Sequence, residues 1–446
     1  MRGRMTHGWT PAQIVVLGFA AVIMVGTGLL ALPWAREGQG SATLVEALFT
    51  STSAVCVTGL VVVDTAAHWS TFGEIVILCL IQVGGFGIMT MATLLVMLIS
   101  RRMRLRSRLA AATETRSLGL GDVRGIIVGV AKISVAFEVT VAVLLWLRLV
   151  TAYDVPPGQA AYESVFHAVS AFNNAGFSLY SDSLMRFVSD PWFCLPIAIT
   201  VICGGIGFPV LLELRRQFRR PRQWSLHTKI TVWGTVLLLV SGTAFVLASE
   251  WGNDATLGAL GGGERWLAAF FHSTMLRTAG FNSLDVAQMS DVTWLGSGVL
   301  MFIGGGSAGT AGGIKVATFF LLLFVIYAEI RGERSVNVFD RRVGSRAQRQ
   351  ALTVALLAVA AVTISTLILL AMTDLVLNTV LFEAISAFAT VGLSTGITAE
   401  LPAAGQLVLV ILMFVGRLGP ITLASALALR QHERLYEQPE GRPIIG

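Results

Sequence analysis

EALFTSTSAVCVTG, residues 46–59, is the first of four stretches of equal length that end on a glycine and together decide the fold. The other three are ESVFHAVSAFNNAG at 163–176, LAAFFHSTMLRTAG at 267–280 and TVLFEAISAFATVG at 379–392. Each carries a phenylalanine ten residues before its glycine and a serine or threonine six residues before it. The glycines, at intervals of 117, 104 and 112 residues, are Gly59, Gly176, Gly280 and Gly392. Agreement at fixed offsets and near-even intervals indicates a fourfold internal repeat.

The composition is typical of a chain that uses a lipid bilayer as its solvent. Of the 446 residues, 54% are hydrophobic and only 13% are charged, whereas soluble domains carry about 25% charge. A transmembrane helix needs about 20 apolar residues. Long apolar runs occupy 14–33, 75–99, 191–212, 229–248, 314–328, 351–373 and 406–429. The four repeated stretches are shorter and have the length of re-entrant segments. We therefore predict an all-α membrane protein of four tandem helix–pore loop–helix repeats, with eight transmembrane helices around a pseudo-fourfold central pore.

Arginine clusters between the apolar runs predict the orientation in the membrane. They lie at 101–108, 215–222 and 331–349, and short loops rich in Arg face the cytoplasm. Both termini are therefore predicted to be cytoplasmic, in a multi-pass protein of the plasma (inner) membrane. Because the net charge of +6 sits in these links, it does not indicate a nucleic-acid partner. The predicted divisions are repeat 1 (1–100), a basic linker, read as a helix (101–123), repeat 2 (124–222), repeat 3 (223–330), a similar basic linker (331–349), repeat 4 (350–429) and a cytoplasmic tail (430–446).

The glycine that ends each stretch predicts a cation filter. A re-entrant loop leaves backbone carbonyls unpaired, which is tolerated only where they line a cavity or are buried in protein. Rings of such carbonyls can replace the hydration shell of potassium, and glycine permits the backbone that turns them inward. A short helix whose C-terminal end points at the pore centre adds about half a negative charge there. The hydroxyl six residues earlier can bond helix carbonyls or neighbouring loops.

The candidate filter strands begin at Cys56, Asn173, Arg277 and Ala389 and end on the four glycines. The residues assigned to potassium binding are Val57, Thr58, Gly59, Asn174, Ala175, Gly176, Thr278, Ala279, Gly280, Thr390, Val391 and Gly392. No carboxylate lies within these strands, which argues against a calcium filter built on acidic side chains. A cation at Arg277 would repel potassium if it faced the pore, so we expect it to brace the filter from behind, against Glu383 or Asp285. The side chains of Asn173 and Asn174 are read either as ion contacts or as packing behind the strand.

A second run of small residues, inside repeat 3, predicts a gate. It consists of Gly304, Gly305, Gly306, Ser307, Ala308, Gly309, Thr310, Ala311, Gly312 and Gly313. Such a run breaks a helix at mid-membrane and can either pack closely against neighbouring spans or form a loop that obstructs the pore. Arg417 lies inside an apolar span, where a charge faces a cavity or a partner. It is either a structural anchor or an electrostatic barrier below the filter. Lys315 beside the loop is expected to snorkel to the cytoplasmic face.

The chain resembles the membrane subunit of the Ktr/Trk/HKT potassium transporter superfamily, nearest the bacterial Ktr type, over nearly its whole length. The motifs that carry the resemblance are VTGL at 57–60, NNAGF at 173–177, RTAGFNS at 277–283, ATVGLST at 389–395, GGGSAGTAGGIK at 304–315 and GRLGP at 416–420. The resemblance implies four filter glycines with a preference for potassium. It implies a homodimer in which each protomer has its own pore, and a cytosolic ring of nucleotide-binding regulatory subunits. In some members sodium acts as activator or coupling ion.

The function expected from these observations is potassium uptake through a channel-like pore. A sodium-coupled potassium symporter with alternating access is the alternative, and a non-conducting subunit is a third reading. Inverted repeats would favour the symporter, whereas the predicted repeats are parallel around one axis. The sequence contains no HExxH or GxxxxGK[ST] motif, so an enzyme is not predicted. No organic cofactor is predicted for this chain.

Overall fold

The computed structural model describes residues 11–38, 40–107, 123–339 and 341–419, and almost all of its regular structure is helical. The α-helices are α1 (Pro11–Leu30), α2 (Leu44–Cys56), α3 (Thr65–His68), α4 (Thr71–Ser107), α5 (Val123–Ala152), α6 (Pro157–Phe172), α7 (Pro191–Ile206), α8 (Phe208–Gln217), α9 (Leu226–Glu250), α10 (Gly262–Met275), α11 (Asp291–Phe302), α12 (Val316–Ile330), α13 (Ser345–Met372), α14 (Leu377–Ala389) and α15 (Ala403–Leu418). Short 3₁₀ turns lie at Pro33–Ala35, Met185–Phe187, Pro221–Gln223, Val286–Gln288 and Ile397–Ala399.

Four short helices, α2, α6, α10 and α14, each follow a long apolar helix. The long helices are α1, α5, α9 and α13, and their apolar parts are long enough to cross a membrane. Each short helix contains the first part of one repeated stretch and ends three to five residues before its glycine. Thr43 shows how such a helix begins: its hydroxyl accepts a hydrogen bond from the Glu46 amide, and the Glu46 carboxylate accepts one from the Thr43 amide. This reciprocal capping box satisfies two amides that the first turn cannot pair.

The helices that follow the short ones are unequal: the one in repeat 2 is bent, which was not predicted, and the one in repeat 3 is interrupted at the predicted break in 304–313. Four described helices qualify as spans by length and hydropathy, and a fifth span is possible if α7 and α8 count as one bent pair. The bend is 102° and falls at Gly207, whose φ of 102° is outside the helical region and is accessible to glycine. In repeat 3 the chain leaves α11 at Phe302 and re-enters a helix only at Val316. Glycine-rich sequence weakens the helix at both interruptions, and at the bend Pro209 adds a residue that has no amide N–H and cannot continue the helix before it.

The predicted linkers are only partly helical. Residues 331–349 were expected to resemble the basic helix at 101–123, but they contain a two-stranded hairpin of β1 (Asn337–Val338) and β2 (Arg341–Arg342). The first turn of α13 then begins inside this linker, at Ser345. Helix α4 continues the chain to Ser107, and the rest of the first linker up to residue 122 lies outside the described residues, as does the predicted tail 430–446.

The largest buried apolar cluster joins the two ends of the chain. It packs α1, α2 and α4 against α13, α14 and α15 and includes Phe49 and Phe388, which are almost completely buried. Phe49 is one of the four repeated phenylalanines. Of the other three, Phe166 and Phe382 are buried as well, while Phe270 is partly buried. Fully burying such a side chain stabilises the fold by about 1.5–3 kcal/mol. These contacts hold the short helices in place and thereby position the loops that follow them.

Candidate pore site

The four glycines lie next to one another in a closed cycle, in chain order, which we call the glycine ring. The position that a Cβ atom would take on Gly59 lies 3.2 Å from the Cα of Gly176, and the corresponding positions on the other three lie 2.8–3.1 Å from the next glycine, with Gly392 returning to Gly59. Each of these positions also overlaps the carbonyl oxygen of the residue before the next glycine. Those carbonyls belong to Thr58, Ala175, Ala279 and Val391. A side chain at any ring position would therefore displace the backbone of the next strand.

The backbone around each glycine repeats as well. The glycines have φ angles of 91°, 71°, 72° and 98°, and the residue two positions earlier is also left-handed in every strand. Those residues, with φ of 49–69°, are Val57, Asn174, Thr278 and Thr390. A left-handed residue other than glycine costs about 1–3 kcal/mol and persists only when its surroundings impose it. Sequence reasoning missed this feature, because the four side chains share no property that predicts a left-handed backbone.

Three of the four repeated hydroxyls tie a short helix to the strand that follows it. Ser53 Oγ accepts a hydrogen bond from the amide of Gly59 at 3.0 Å, and Ser386 Oγ accepts one from the amide of Gly392 at 3.2 Å. Ser170 instead donates to the carbonyl of Phe177 at 2.8 Å. Thr274 donates to Phe270 within its own helix, at 2.9 Å. The strands of repeats 1 and 4 therefore have the same support, and those of repeats 2 and 3 do not.

A cavity of about 400 Å³ opens on one end of the four strands, and we call it the vestibule. Its wall includes all four ring glycines together with residues that follow them, and two carboxylate residues, Asp64 and Asp285. Each carboxylate accepts a hydrogen bond from a nearby backbone amide, at 2.9 Å for Asp64 and 3.0 Å for Asp285. The vestibule therefore brings negative charge to the same face as the ring.

The predicted gate residues 304–313, the glycine-rich loop, lie at the opposite end of the strands from the vestibule. The Thr310 hydroxyl donates to Asn174 Oδ1 at 2.8 Å, and a Cβ on Gly312 would overlap the Thr390 hydroxyl. Backbone amides of Gly306 and Thr310 donate to the carbonyls of Gly205 and Gly204, where α7 ends. The loop is thus packed against residues that precede the ring glycines. Asn174 is fully buried, and its contact is with the loop.

Three cationic side chains donate to backbone carbonyls at two places along this loop, its beginning and the adjacent residues Thr310 and Ala311. Arg277 donates to Ile303 at 2.8 Å and to Gly304 at 2.6 Å. Arg417, which is 4% exposed, donates to the carbonyl of Thr310, and Lys315 donates to that of Ala311 at 2.5 Å. None of the three has a carboxylate partner within the parts of the chain that the structure describes.

Two expectations about these cations are wrong. Arg277 does not pair with Glu383 or Asp285, because Thr398 donates to Glu383 and Asp285 caps the amide of Ala287. Lys315 does not snorkel away from the loop, since its ammonium reaches back one turn to a loop carbonyl. The physical reason is the same in both cases: a loop without regular structure leaves carbonyls that need donors, and these are the nearest ones.

We predict that Arg277→Gln destabilises the protein, because it removes two hydrogen bonds to buried carbonyls. Each buried group left without a partner costs about 1–3 kcal/mol. The thermal midpoint of the purified, detergent-solubilised variant should therefore fall well below that of the wild type. Arg265→Gln is the matched control. Arg265 also donates to backbone carbonyls, those of Leu260, Gly258 and Trp251 in the segment between α9 and α10, but it lies closer to solvent than Arg277. Equal shifts in the two variants would contradict the bracing role of Arg277.

Comparison with known proteins places this architecture in a family. The TrkH family, described as cation transport proteins, matches residues 9–435. The chain is 38% identical over 438 residues to the Ktr system potassium uptake protein B of Bacillus subtilis, a match that covers 98% of this chain and 97% of that protein. It is 33% identical over 456 residues to the potassium/sodium uptake protein NtpJ of Enterococcus hirae, covering 100% of this chain and 99% of NtpJ.

The fold agrees with a solved structure of the same kind. The crystal structure of the potassium transporter TrkH from Vibrio parahaemolyticus superposes with a TM-score of 0.76 at 17% sequence identity, and the match covers 96% of this chain and 87% of that one. At this identity the likeness shows the fold alone. Together with the family match over most of the chain and the relatives above 30% identity, it leads to one conclusion: this multi-pass helical chain belongs to the TrkH family of cation transport proteins.

Proposed function

We propose that this protein takes up potassium through a channel-like pore whose filter is formed by the strands that end in the glycine ring. The observation that carries the proposal is the closed cycle of four glycines, each lying against a carbonyl of the next strand. Such carbonyls are the ligands with which potassium filters replace the hydration shell. The proposed ligand set is the one predicted from the sequence, with potassium bound by backbone oxygens of residues 57–59, 174–176, 278–280 and 390–392.

Electrostatics favour a cation at this place. The short helices end three to five residues before the ring glycines, and the C-terminal end of a helix carries about half a negative charge. Four such ends near one point attract a positive ion without offering a side-chain carboxylate, which would favour divalent ions. Asp64 and Asp285 in the vestibule would raise the local cation concentration.

The glycine-rich loop and Arg417 form the proposed gate. The loop packs at one end of the strands through Thr310 and Gly312, and the Arg417 guanidinium bonds to it there. A potassium ion that leaves the strands on this side would meet the loop and a buried positive charge. Opening then requires the loop to move, and breaking a few hydrogen bonds of about 1 kcal/mol each is sufficient for that.

The names of the relatives extend the proposal to partners. A "Ktr system" protein in Bacillus subtilis and another in Vibrio alginolyticus point to an assembly of more than one chain. We therefore propose that a regulatory subunit works with this chain; a homodimer, and a cytosolic nucleotide-binding ring as that subunit, are what the family resemblance implies. NtpJ is named a potassium/sodium uptake protein, and this favours sodium as an activator or as the coupling ion of a symporter, which is the second candidate function.

Potassium uptake in a potassium-auxotrophic bacterium tests the function directly. The wild-type chain, expressed with its regulatory partner, is expected to restore growth at low potassium and to take up potassium in preference to sodium. An empty vector gives the background. No potassium uptake with the protein present in the membrane would contradict the proposal.

A further inference from the structure

Three polar side chains are joined by hydrogen bonds behind the strand that ends at Gly176, inside the membrane-spanning part of the fold. The series begins at Glu138 on α5, passes through Gln82 on α4, and ends at Asn173, the residue directly after α6. Glu138 is 8% exposed and lies within the apolar span Ile127–Ala152. A carboxylate at such a depth is costly and usually serves a function. Nothing in the proposed filter or gate uses it.

Hydrogen bonds join the three side chains without a gap. The Gln82 amide nitrogen donates to both oxygens of Glu138, at 3.0 and 3.3 Å. The Gln82 amide oxygen accepts a hydrogen bond from Asn173 Nδ2 at 2.8 Å, and Asn173 Nδ2 also donates to the carbonyl of Val169 at 2.9 Å. The three residues thus connect three helices at a point where Asn173 has no exposure.

The Glu138 carboxylate determines which way the amide groups of Gln82 and Asn173 point. An ionised carboxylate only accepts hydrogen bonds, whereas an amide presents a donor at one end and an acceptor at the other. Glu138 therefore forces the nitrogen of Gln82 towards itself and the oxygen of Gln82 towards Asn173. That oxygen in turn orients the nitrogen of Asn173. Without Glu138 the amide of Gln82 could turn over at little cost, because its two ends have nearly the same shape, and Asn173 Nδ2 would then keep only its hydrogen bond to the Val169 carbonyl.

The orientation of Asn173 matters because the next residue is part of the strand. Asn174 adopts the left-handed conformation at φ 58°, and its side chain accepts the hydrogen bond from Thr310 of the glycine-rich loop. Asn173 packs tightly on the same face of α4 one turn further along, where a Cβ at Gly85 would overlap its Oδ1. A fixed Asn173 therefore fixes the turn from which the second strand begins.

We propose, as an extension of the proposed function, that Glu138 and Gln82 are positioning residues that hold the second filter strand, through Asn173, in its potassium-selective conformation. Gln82→Glu places two carboxylates face to face and removes the donor between them, so their repulsion is expected to displace the side chain at position 82 from Asn173. The Michaelis constant for potassium uptake should rise about tenfold and the preference over sodium should fall about tenfold, as expected for one buried hydrogen bond to a charged group.

Exchange of the two side chains provides the decisive variant. In Glu138→Gln/Gln82→Glu the carboxylate stands on α4, where it accepts from the amide introduced on α5 and from Asn173, so the direction imposed on Asn173 is kept. Uptake affinity and selectivity should return to within about threefold of the wild type. Such a recovery shows that the two side chains interact, because substitutions at independent sites have additive effects. Glu74→Gln is the matched control. Glu74 is also buried on α4 and accepts from Tyr162 of α6 at 2.6 Å, but it does not contact the strand.

The measurements are potassium and sodium uptake in cells, normalised to the amount of protein in the membrane. A role in stability alone would change the amount of protein but not the ratio of the two ions. Wild-type selectivity in Gln82→Glu, or no recovery in the exchanged pair, overturns the inference while leaving the proposed function intact. A wild type that takes up no potassium overturns the proposed function and this inference with it.

Discussion

Gly59→Ser is expected to abolish most of the preference for potassium over sodium while leaving the protein folded. The φ of Gly59 is 91°, a conformation that costs a serine about 1–3 kcal/mol. The new Cβ would also overlap the Ala175 carbonyl of the adjacent strand. The carbonyls would be pushed away from positions that match potassium, and a hydroxyl would be added among them. A loss of selectivity of at least about tenfold corresponds to only about 1.4 kcal/mol.

The control for this variant separates backbone strain from damage to the ring. Gly38 also has a positive φ, of 85°, but a Cβ placed on it meets no atom within 4 Å. Gly38→Ser should lower stability slightly and leave ion selectivity unchanged. The measurement is the ratio of potassium to sodium uptake in the auxotrophic strain for the wild type and both variants. If Gly59→Ser retains wild-type selectivity, Gly59 is not part of the filter.

Shortening the glycine-rich loop is expected to raise potassium flux several-fold. Deleting residues 307–310 removes the Thr310 bonds to Asn174 and Gly204 and the carbonyl that Arg417 holds. Because each hydrogen bond contributes about 1 kcal/mol to the closed arrangement, loss of two or three should shift most molecules to the open state. Selectivity should persist, since the ring glycines are untouched.

A point variant tests the same gate with less disturbance of the chain. Thr310→Val keeps the shape of the side chain and removes only the hydrogen bond to Asn174. Its flux should lie between those of the wild type and the deletion. The maximal rate of potassium uptake per molecule in the membrane is the quantity to compare. Uptake kinetics in the deletion that match the wild type would show that the loop does not obstruct the path.

The residues that meet at the glycine ring could be predicted from the sequence because they occupy the same position in each of the four repeated stretches. Four glycines at near-even intervals, each preceded at fixed offsets by Phe and a hydroxyl, require no alignment of relatives to be seen. The structure brings the glycines together and gives the hydroxyls hydrogen-bond partners. The assignment of residues 57–59 and their counterparts to potassium binding stays a prediction.

Features that depend on contacts between distant segments could not be predicted in the same way. The partners of Arg277 are carbonyls of an irregular loop, and no sequence pattern reports where such carbonyls will lie. GGIG at 204–207, where the 102° bend falls, resembles GGFG at 84–87, through which α4 continues as a helix. The sequence signal that separates them is Pro209, which follows GGIG, whereas GGFG is followed by no proline. Glu138 does carry a sequence signal: it is an acidic residue within the apolar span Ile127–Ala152, a segment that is absent from the predicted apolar runs, and a charge at such a depth is itself an indication of function.

The reversal potential of the purified protein in a planar bilayer tests the central claim, a potassium-selective pore, most directly. With unequal potassium on the two sides and equal sodium, the account predicts a current that reverses close to the potassium equilibrium potential. Imposing an additional sodium gradient should leave that potential nearly unchanged. A reversal potential that moves with the combined potassium and sodium gradients in a fixed ratio would indicate coupled transport and would contradict the channel-like filter.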